Sequence, residues 1–195
     1  MTLVPLENFP NYFAGFVFTI LFFVILIVEL SIFSKRRLAS GFGHDKRSLL
    51  LILIGAGLSV FSIFFFSYSG TGKINTNFGY WGIFIMVSGF ILRQWSIQIL
   101  GNLFTPVISI QEGHRLIIKG PYKYVRHPSY SGLLVELLGA SLAVSNWISF
   151  VLVFCFVLPP LIYRIKIEEK ELIKKFGQDY IAYKERTKML IPWVI

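Results

Sequence analysis

Three uninterrupted apolar blocks, each about as long as a bilayer is thick, dominate the first hundred residues of this chain. A hydrocarbon core about 30 Å thick takes roughly 20 residues of helix at 1.5 Å rise each. The first block runs from about Tyr12 to Ser34 and carries one charge, Glu29, near its end. The second runs from about Ser48 to Ser69 and carries none. The third runs from about Gly79 to Leu100, with Arg93 in its last third. A later apolar block, about Pro128 to Tyr163, is too long for one span and breaks at Ser145-Asn146-Trp147, a polar turn with an interfacial aromatic. It reads as a helical hairpin of two short spans. The expected fold is all-α and integral to the membrane, with five transmembrane helices, the last two forming the hairpin. No Lys or Arg precedes the first block, which is also longer than a signal-peptide core, so it reads as a retained helix.

Charge supports the same class. Charged residues make up 15% of the 195 residues, against about 25% in a typical soluble domain. With 55% hydrophobic residues and a single cysteine, Cys155, the chain is neither disordered nor stapled by an internal disulfide. Lys35, Arg36, Arg37, Lys46 and Arg47 lie between the first two spans, and only Lys73 lies between the second and third. Arg115, Lys119, Lys123 and Arg126 follow the third, and eight further Lys and Arg from Arg164 to Lys188 follow the hairpin. The positive-inside rule then places the N-terminus outside and the C-terminus in the cytoplasm. The net charge of +9 is a topology signal and a source of attraction to anionic headgroups. No basic cluster is interleaved with a nucleic-acid-binding pattern, so no nucleic-acid partner is expected.

By composition the chain divides into 1–100, three membrane helices, and 101–195. The second part comprises a polar connector (101–130), the hairpin (131–163) and a charged cytoplasmic tail (164–195). The tail reads as an amphipathic helix. Glu168, Glu169 and Glu171 crowd its expected start, where the helix dipole favours negative charge. Leu172, Phe176 and Tyr180 form an apolar stripe at four-residue spacing. Gly177 bends or caps the helix, and Pro192 ends any regular run. Such a helix lies on the membrane surface, where it can also close over a site at the bilayer edge.

The connector holds most of the chemistry-bearing residues. His114 and His127 stand thirteen residues apart with no Cys, third His or carboxylate at metal spacing, so no metal is expected. Arg126 reads equally well as a headgroup anchor. Pro128 is suited to start the fourth helix, and the free N–H groups of a helix start favour anions, which makes Pro128 to Ser131 a candidate carboxylate or phosphate cradle. There is no G-x-G-x-x-G, G-x-S-x-G or H-E-x-x-H, so dinucleotide, serine-hydrolase and zinc-protease readings have no support. Arg164 and Glu168, four apart, share a helix face and form either a stabilising pair or a cation and anion facing the connector. Glu136, within the fourth span, either faces the same cavity or makes a structural hydrogen bond.

Gly120-Pro121-Tyr122, the run Arg126-His127-Pro128-Ser129-Tyr130 with Gly132, the Arg164/Glu168 pair, and Phe176-Gly177 with Tyr180 and Tyr183 resemble isoprenylcysteine carboxyl methyltransferase. Phospholipid and other membrane methyltransferases share part of the pattern. The resemblance covers roughly residues 101–193, and the short five-span chain is similar to a prokaryotic member. It implies an enzyme that uses S-adenosylmethionine, with S-adenosylhomocysteine as product, to methylate the carboxylate of a prenylated cysteine or a similar lipophilic carboxylate. Carried over by position, the cofactor contacts are Gln111, His114, Arg115, Leu116, Ile117, Tyr122, His127, Pro128, Ser129, Tyr130 and Glu168. Arg164 meets the substrate carboxylate, and Arg164 and Glu168 are the implied catalytic pair. The site is then cytoplasmic and touches membrane lipid. Two alternatives stand beside this reading: the same cofactor with a phospholipid amine or a small thiol as acceptor, and a non-enzymatic lipid-binding membrane module.

Overall fold

The structure is a computed structural model that describes residues 12–39, 46–74, 78–105 and 116–191. Among these residues six α-helices follow one another: α1 (Tyr12–Ala39), α2 (Lys46–Ser69), α3 (Gly79–Leu100), α4 (Pro128–Ala143), α5 (Trp147–Phe176) and α6 (Gln178–Arg186). Short 3-10 turns occupy Gly101–Leu103 and Gly120–Lys123. Among the described residues there are no strands, only isolated bridges.

Among the described residues, four helical stretches are long and apolar enough to cross a membrane: Phe13–Lys35, Arg47–Ser69, Gly79–Leu103 and Trp147–Phe176. Large apolar side chains on their outer faces stay exposed, among them Phe13, Phe16, Ile27, Phe61, Trp81 and Phe84. A soluble protein rarely leaves so much apolar surface uncovered, whereas a bilayer requires it. The protein is an integral, multi-pass membrane protein. The hairpin break falls at Val144–Asn146, as the polar turn predicts. The Asn146 side chain caps α5 by accepting from Ser149 N–H at 3.0 Å, and its amide donates to the carbonyls of Phe66 and Thr71. With 16 residues, α4 is only about 24 Å long, short of a full crossing.

The closest packing joins α3 to α4. Cβ atoms at Gly82, Gly89, Gly132 and Gly139 would each overlap backbone of the facing helix. Small residues at helical spacing allow this approach, which in lipid replaces the missing hydrophobic drive between helices. Packing of α2 on α5 follows the same logic. A Cβ at Gly55 would strike the carbonyl of Phe156, whose usual helical donor would be the N–H that Pro160 lacks. Neither Pro159 nor Pro160 ends the helix, which spans 30 residues with both inside it. The tail reading is corrected here. Glu168, Glu169 and Glu171 do not begin a helix; they lie in the last third of α5. Gly177, at φ +55°, ends α5 and starts α6.

Candidate active site

Two cavities meet at the polar end of the bundle. The first is a cleft of about 890 Å³, its open mouth included, between the end of α3, the connector, and the α5–α6 region. Its apolar side is built from residues such as Leu100, Phe104, Leu172 and Phe176, and its polar side from His127, Ser129, Tyr130, Arg164 and Glu168. The second, about 1620 Å³ on the same basis, lies among α1, α2, α4 and α5. Its walls are mainly apolar, with Phe22, Ile25, Ile52, Val60 and Leu137 among them. Four residues line both: Phe104, Thr105, Tyr130 and Arg164.

A hydrogen-bonded relay runs along that shared wall. Arg164 is 3% exposed; its Nε donates to Tyr130 Oη at 2.8 Å and its Nη1 donates to Ser48 Oγ at 3.0 Å. Tyr130 Oη in turn donates to Glu168 Oε2 at 2.8 Å. The helix-neighbour pair of the sequence, Arg164 and Glu168, is thus linked through a tyrosine from α4. The ring of Tyr130 stacks on His127, with centroids 5.7 Å apart and planes at 16°. Pro128 begins α4 fully buried and sets this placement without lining either cavity.

A second ionic cluster holds the cleft together from behind. Glu169, also on α5, receives Arg126 Nε at 2.6 Å and Lys184 Nζ at 2.8 Å. His127 Nε2 stands 3.5 Å from the same carboxylate without hydrogen-bond alignment, and its Nδ1 is 4.0 Å from Glu168. Arg126 is therefore not a headgroup anchor: its side chain is 8% exposed and also donates to the carbonyls of Lys184 and Thr187. The segment after α6 runs beside the connector, with Arg126 N–H donating to Lys188 O and His127 N–H to Met189 O. Ser131 Oγ donates to Leu190 O. Tyr183 Oη donates to Tyr122 O at 2.6 Å. Burial pushes Tyr183 up to about 12 and raises Tyr122 and Tyr180 further. All three phenols stay neutral donors at physiological pH.

Of the residues singled out in the sequence, Leu116, Ile117, Tyr122, His127, Ser129, Tyr130, Arg164 and Glu168 come together around the cleft. Gln111, His114 and Arg115 lie outside the described residues. Glu136 lines the apolar cavity, not the cleft. Sequence reasoning missed Ser48, Glu169 and Lys184 as members of the site's framework. It used Tyr180 in an apolar stripe and in the family-like motif but not as a site residue, yet Tyr180 lines the cleft.

Residues 82–174 match the isoprenylcysteine carboxyl methyltransferase (ICMT) family. That segment is a little under half of the chain. The matched segment holds the whole relay from Tyr130 to Glu168 and reaches further into α3 than the motifs alone. Protein-S-isoprenylcysteine O-methyltransferase B of Arabidopsis thaliana is 36% identical over 58% of this chain and 58% of its own length. Protein-S-isoprenylcysteine O-methyltransferase of Saccharomyces cerevisiae is 33% identical over 66% and 54%. Methanethiol S-methyltransferase 1 of Bradyrhizobium diazoefficiens is 31% identical over 62% and 41%. The chain spans little more than half the length of the first two. The solved structure of a eukaryotic intramembrane Ras methyltransferase ICMT superposes with a TM-score of 0.60 at 25% identity, over 77% of this chain and 55% of that one.

Proposed function

We propose that this chain methylates the carboxylate of a lipid-modified cysteine, using S-adenosylmethionine. The observation that carries the reading is the shared wall. A cleft with one polar and one apolar side meets a large, mainly apolar cavity at Arg164 and Tyr130, so a methyl donor and a lipid acceptor can be brought face to face. When bound, S-adenosylmethionine supplies an electrophilic methyl group on a sulfonium.

The cleft residues fit such a group. Tyr180 Oη is buried there without a hydrogen-bond partner among the described residues, an unmet polar need on the cleft lining. Leu116, Ile117, Leu172 and Phe176 offer a flat apolar surface for a base. Glu168 suits an ammonium or a ribose hydroxyl, and His127 with the start of α4 suits a carboxylate. Tyr122 and Ser129 complete the contacts, with Gln111, His114 and Arg115 of the connector assigned to the same group and Pro128 fixing the α4 start.

Arg164 receives the acceptor carboxylate. Its guanidinium is held by Ser48 and Tyr130, so its orientation is set in advance and its planar fork matches two oxygens. A carboxylate is already a nucleophile, so no general base is needed. The protein's task is alignment and exclusion of water, and positioning of this kind can supply about 7–11 kcal/mol. Lipid enters the cavity among α1, α2, α4 and α5, with α4 as the short fourth of five spans. The excess of Lys and Arg places this end of the bundle in the cytoplasm and the N-terminus outside.

The methanethiol-acting relative favours a second reading, a small thiol as acceptor. A cavity of about 1620 Å³ with an anion-binding Arg164 at its end fits a lipid carboxylate better. Calorimetry with S-adenosylhomocysteine on detergent-purified protein tests the cofactor assignment: binding is expected in wild type and lost in His127→Ala and Glu168→Ala. Methyl transfer to N-acetyl-S-farnesylcysteine but not to methanethiol is expected. No binding by folded wild type overturns the proposal.

A further inference from the structure

The apolar cavity contains a charged cluster that holding a hydrocarbon chain does not require. Glu29 of α1, Arg93 of α3 and Glu136 of α4 all line it. The first two satisfy each other: Arg93 Nε donates to Glu29 Oε1 at 2.8 Å and Gln94 Nε2 donates to the same oxygen at 2.9 Å. Arg93 Nη1 also donates to the carbonyl of Ser129 at 3.0 Å. Glu136 has no such arrangement. It is 8% exposed, and its Oε2 is buried without a hydrogen-bond partner among the described residues. An ionisable side chain facing the interior of a membrane bundle without a partner is poorly explained by packing, because an apolar residue there would serve better.

Position gives the unmet carboxyl a role. Tyr130, Leu133, Glu136 and Leu137 line the cavity from one face of α4. Glu136 lies six residues along the helix from Tyr130, about 9 Å by helical rise. A lipid with its methyl-accepting group at Arg164 and Tyr130 would pass Glu136 part-way along its chain. We propose that Glu136 is a specificity-determining residue that recognises a hydroxyl on the acceptor's lipid chain, about 9 Å from the accepting group by the same rise. A hydroxyl both donates and accepts, so it pairs with the carboxyl in either protonation state. This rests on the reading above that the cavity holds the lipid acceptor. It adds that the preferred acceptor is not a plain hydrocarbon.

The test uses the full chain in detergent with two probes, N-acetyl-S-farnesylcysteine and the same molecule with one hydroxyl in its second isoprene unit. Both are followed by equilibrium binding and by methyl transfer. Wild type is expected to bind the hydroxylated probe about tenfold more tightly. Glu136→Gln keeps that preference, and Glu136→Leu reverses it in favour of the plain chain. S-adenosylhomocysteine binding, unchanged in both variants, reports that they are folded. Equal binding of the two probes by wild type, or a ratio unmoved in Glu136→Leu, overturns the role of Glu136. Failure of the methyltransferase reading looks different: no turnover of either probe, with the binding preference intact.

Discussion

Tyr130→Phe removes one oxygen atom and cuts the relay at its centre. Tyr130 Oη accepts from Arg164 Nε and donates to Glu168 Oε2, both at 2.8 Å. Phenylalanine keeps the ring, so the stacking on His127 and the packing of α4 persist. What is lost is the anchoring of a guanidinium that is 3% exposed, together with one hydrogen bond to Glu168. A hydrogen bond to a charged group contributes about 1.5–3 kcal/mol, equivalent to roughly 10- to 150-fold in rate. The expected result is a loss of that size in kcat/KM for methyl transfer to a prenylcysteine, with a Tm lowered by several degrees but a protein still folded at the assay temperature. Arg164→Lys should fall at least as far, because it keeps the charge but loses the fork. The assay is transfer of labelled methyl from S-adenosylmethionine in detergent micelles. If Tyr130→Phe stays within about twofold of wild type, well under the smaller of those losses, the relay does not position Arg164 and the reasoning fails.

Three further outcomes follow from the framework. Glu169→Gln leaves Arg126 buried without its anion, so unfolding in detergent should come at lower temperature by about 3 kcal/mol of stability or more, while Glu171→Gln, half exposed on the same helix, should change little. Gly139→Ala forces α4 off the backbone of Met86 and should cost about 1–3 kcal/mol in the same measurement. Tyr183, pushed up to about 12 by burial, gives stability that is complete below the ordinary tyrosine value near 10 and is lost as pH rises towards 12; the melting temperature should be flat to pH 10 and then fall, and less steeply in Tyr183→Phe.

Much of this architecture is legible in sequence because the bilayer imposes a length rule. The boundaries of α2, α3 and the hairpin follow from where apolar runs stop, and Ser145-Asn146-Trp147 marks the turn without reference to anything distant. The candidate site is legible in its short-range parts: the His127-Pro128 helix start, and Arg164 with Glu168 one turn apart. The ties that organise it are not. Arg126 meets Glu169 across 43 positions, Arg93 meets Glu29 across 64, and Arg164 meets Ser48 across 116. No periodicity encodes such pairs, and Arg126 looks the same in sequence whether it anchors to a headgroup or to a carboxylate. The acidic run at 168–171 misled for a related reason. Acidic residues favour a helix start, but here α5 has already begun at Trp147, about six turns earlier, and the run simply supplies Glu168 to the cleft and Glu169 to the ionic cluster.

The placement of the family match bears on acceptor choice. It begins at residue 82 and so contains the connector, α4 and the functional part of α5. Those elements build the cleft, which under the proposed function would have one job whatever is methylated. The helices before it, α1 and α2, supply the other half of the lipid cavity, including Phe22, Glu29 and Ile52, and Ser48 reaches Arg164 from the same side. Relatives named for a prenylcysteine carboxylate and for a small thiol both resemble this chain at more than 30% identity. A common cofactor half joined to a variable lipid-facing half accounts for that pairing physically. Under the proposed function the cleft would present the methyl group at the same wall in each case, while the cavity on the other side of Tyr130 and Arg164 would be free to differ. In this chain it is lined by the Arg164 guanidinium and by Glu136, whose Oε2 has no hydrogen-bond partner among the described residues. Acceptor selectivity should therefore move with substitutions in α1, α2 and the cavity face of α4, and cofactor affinity should not.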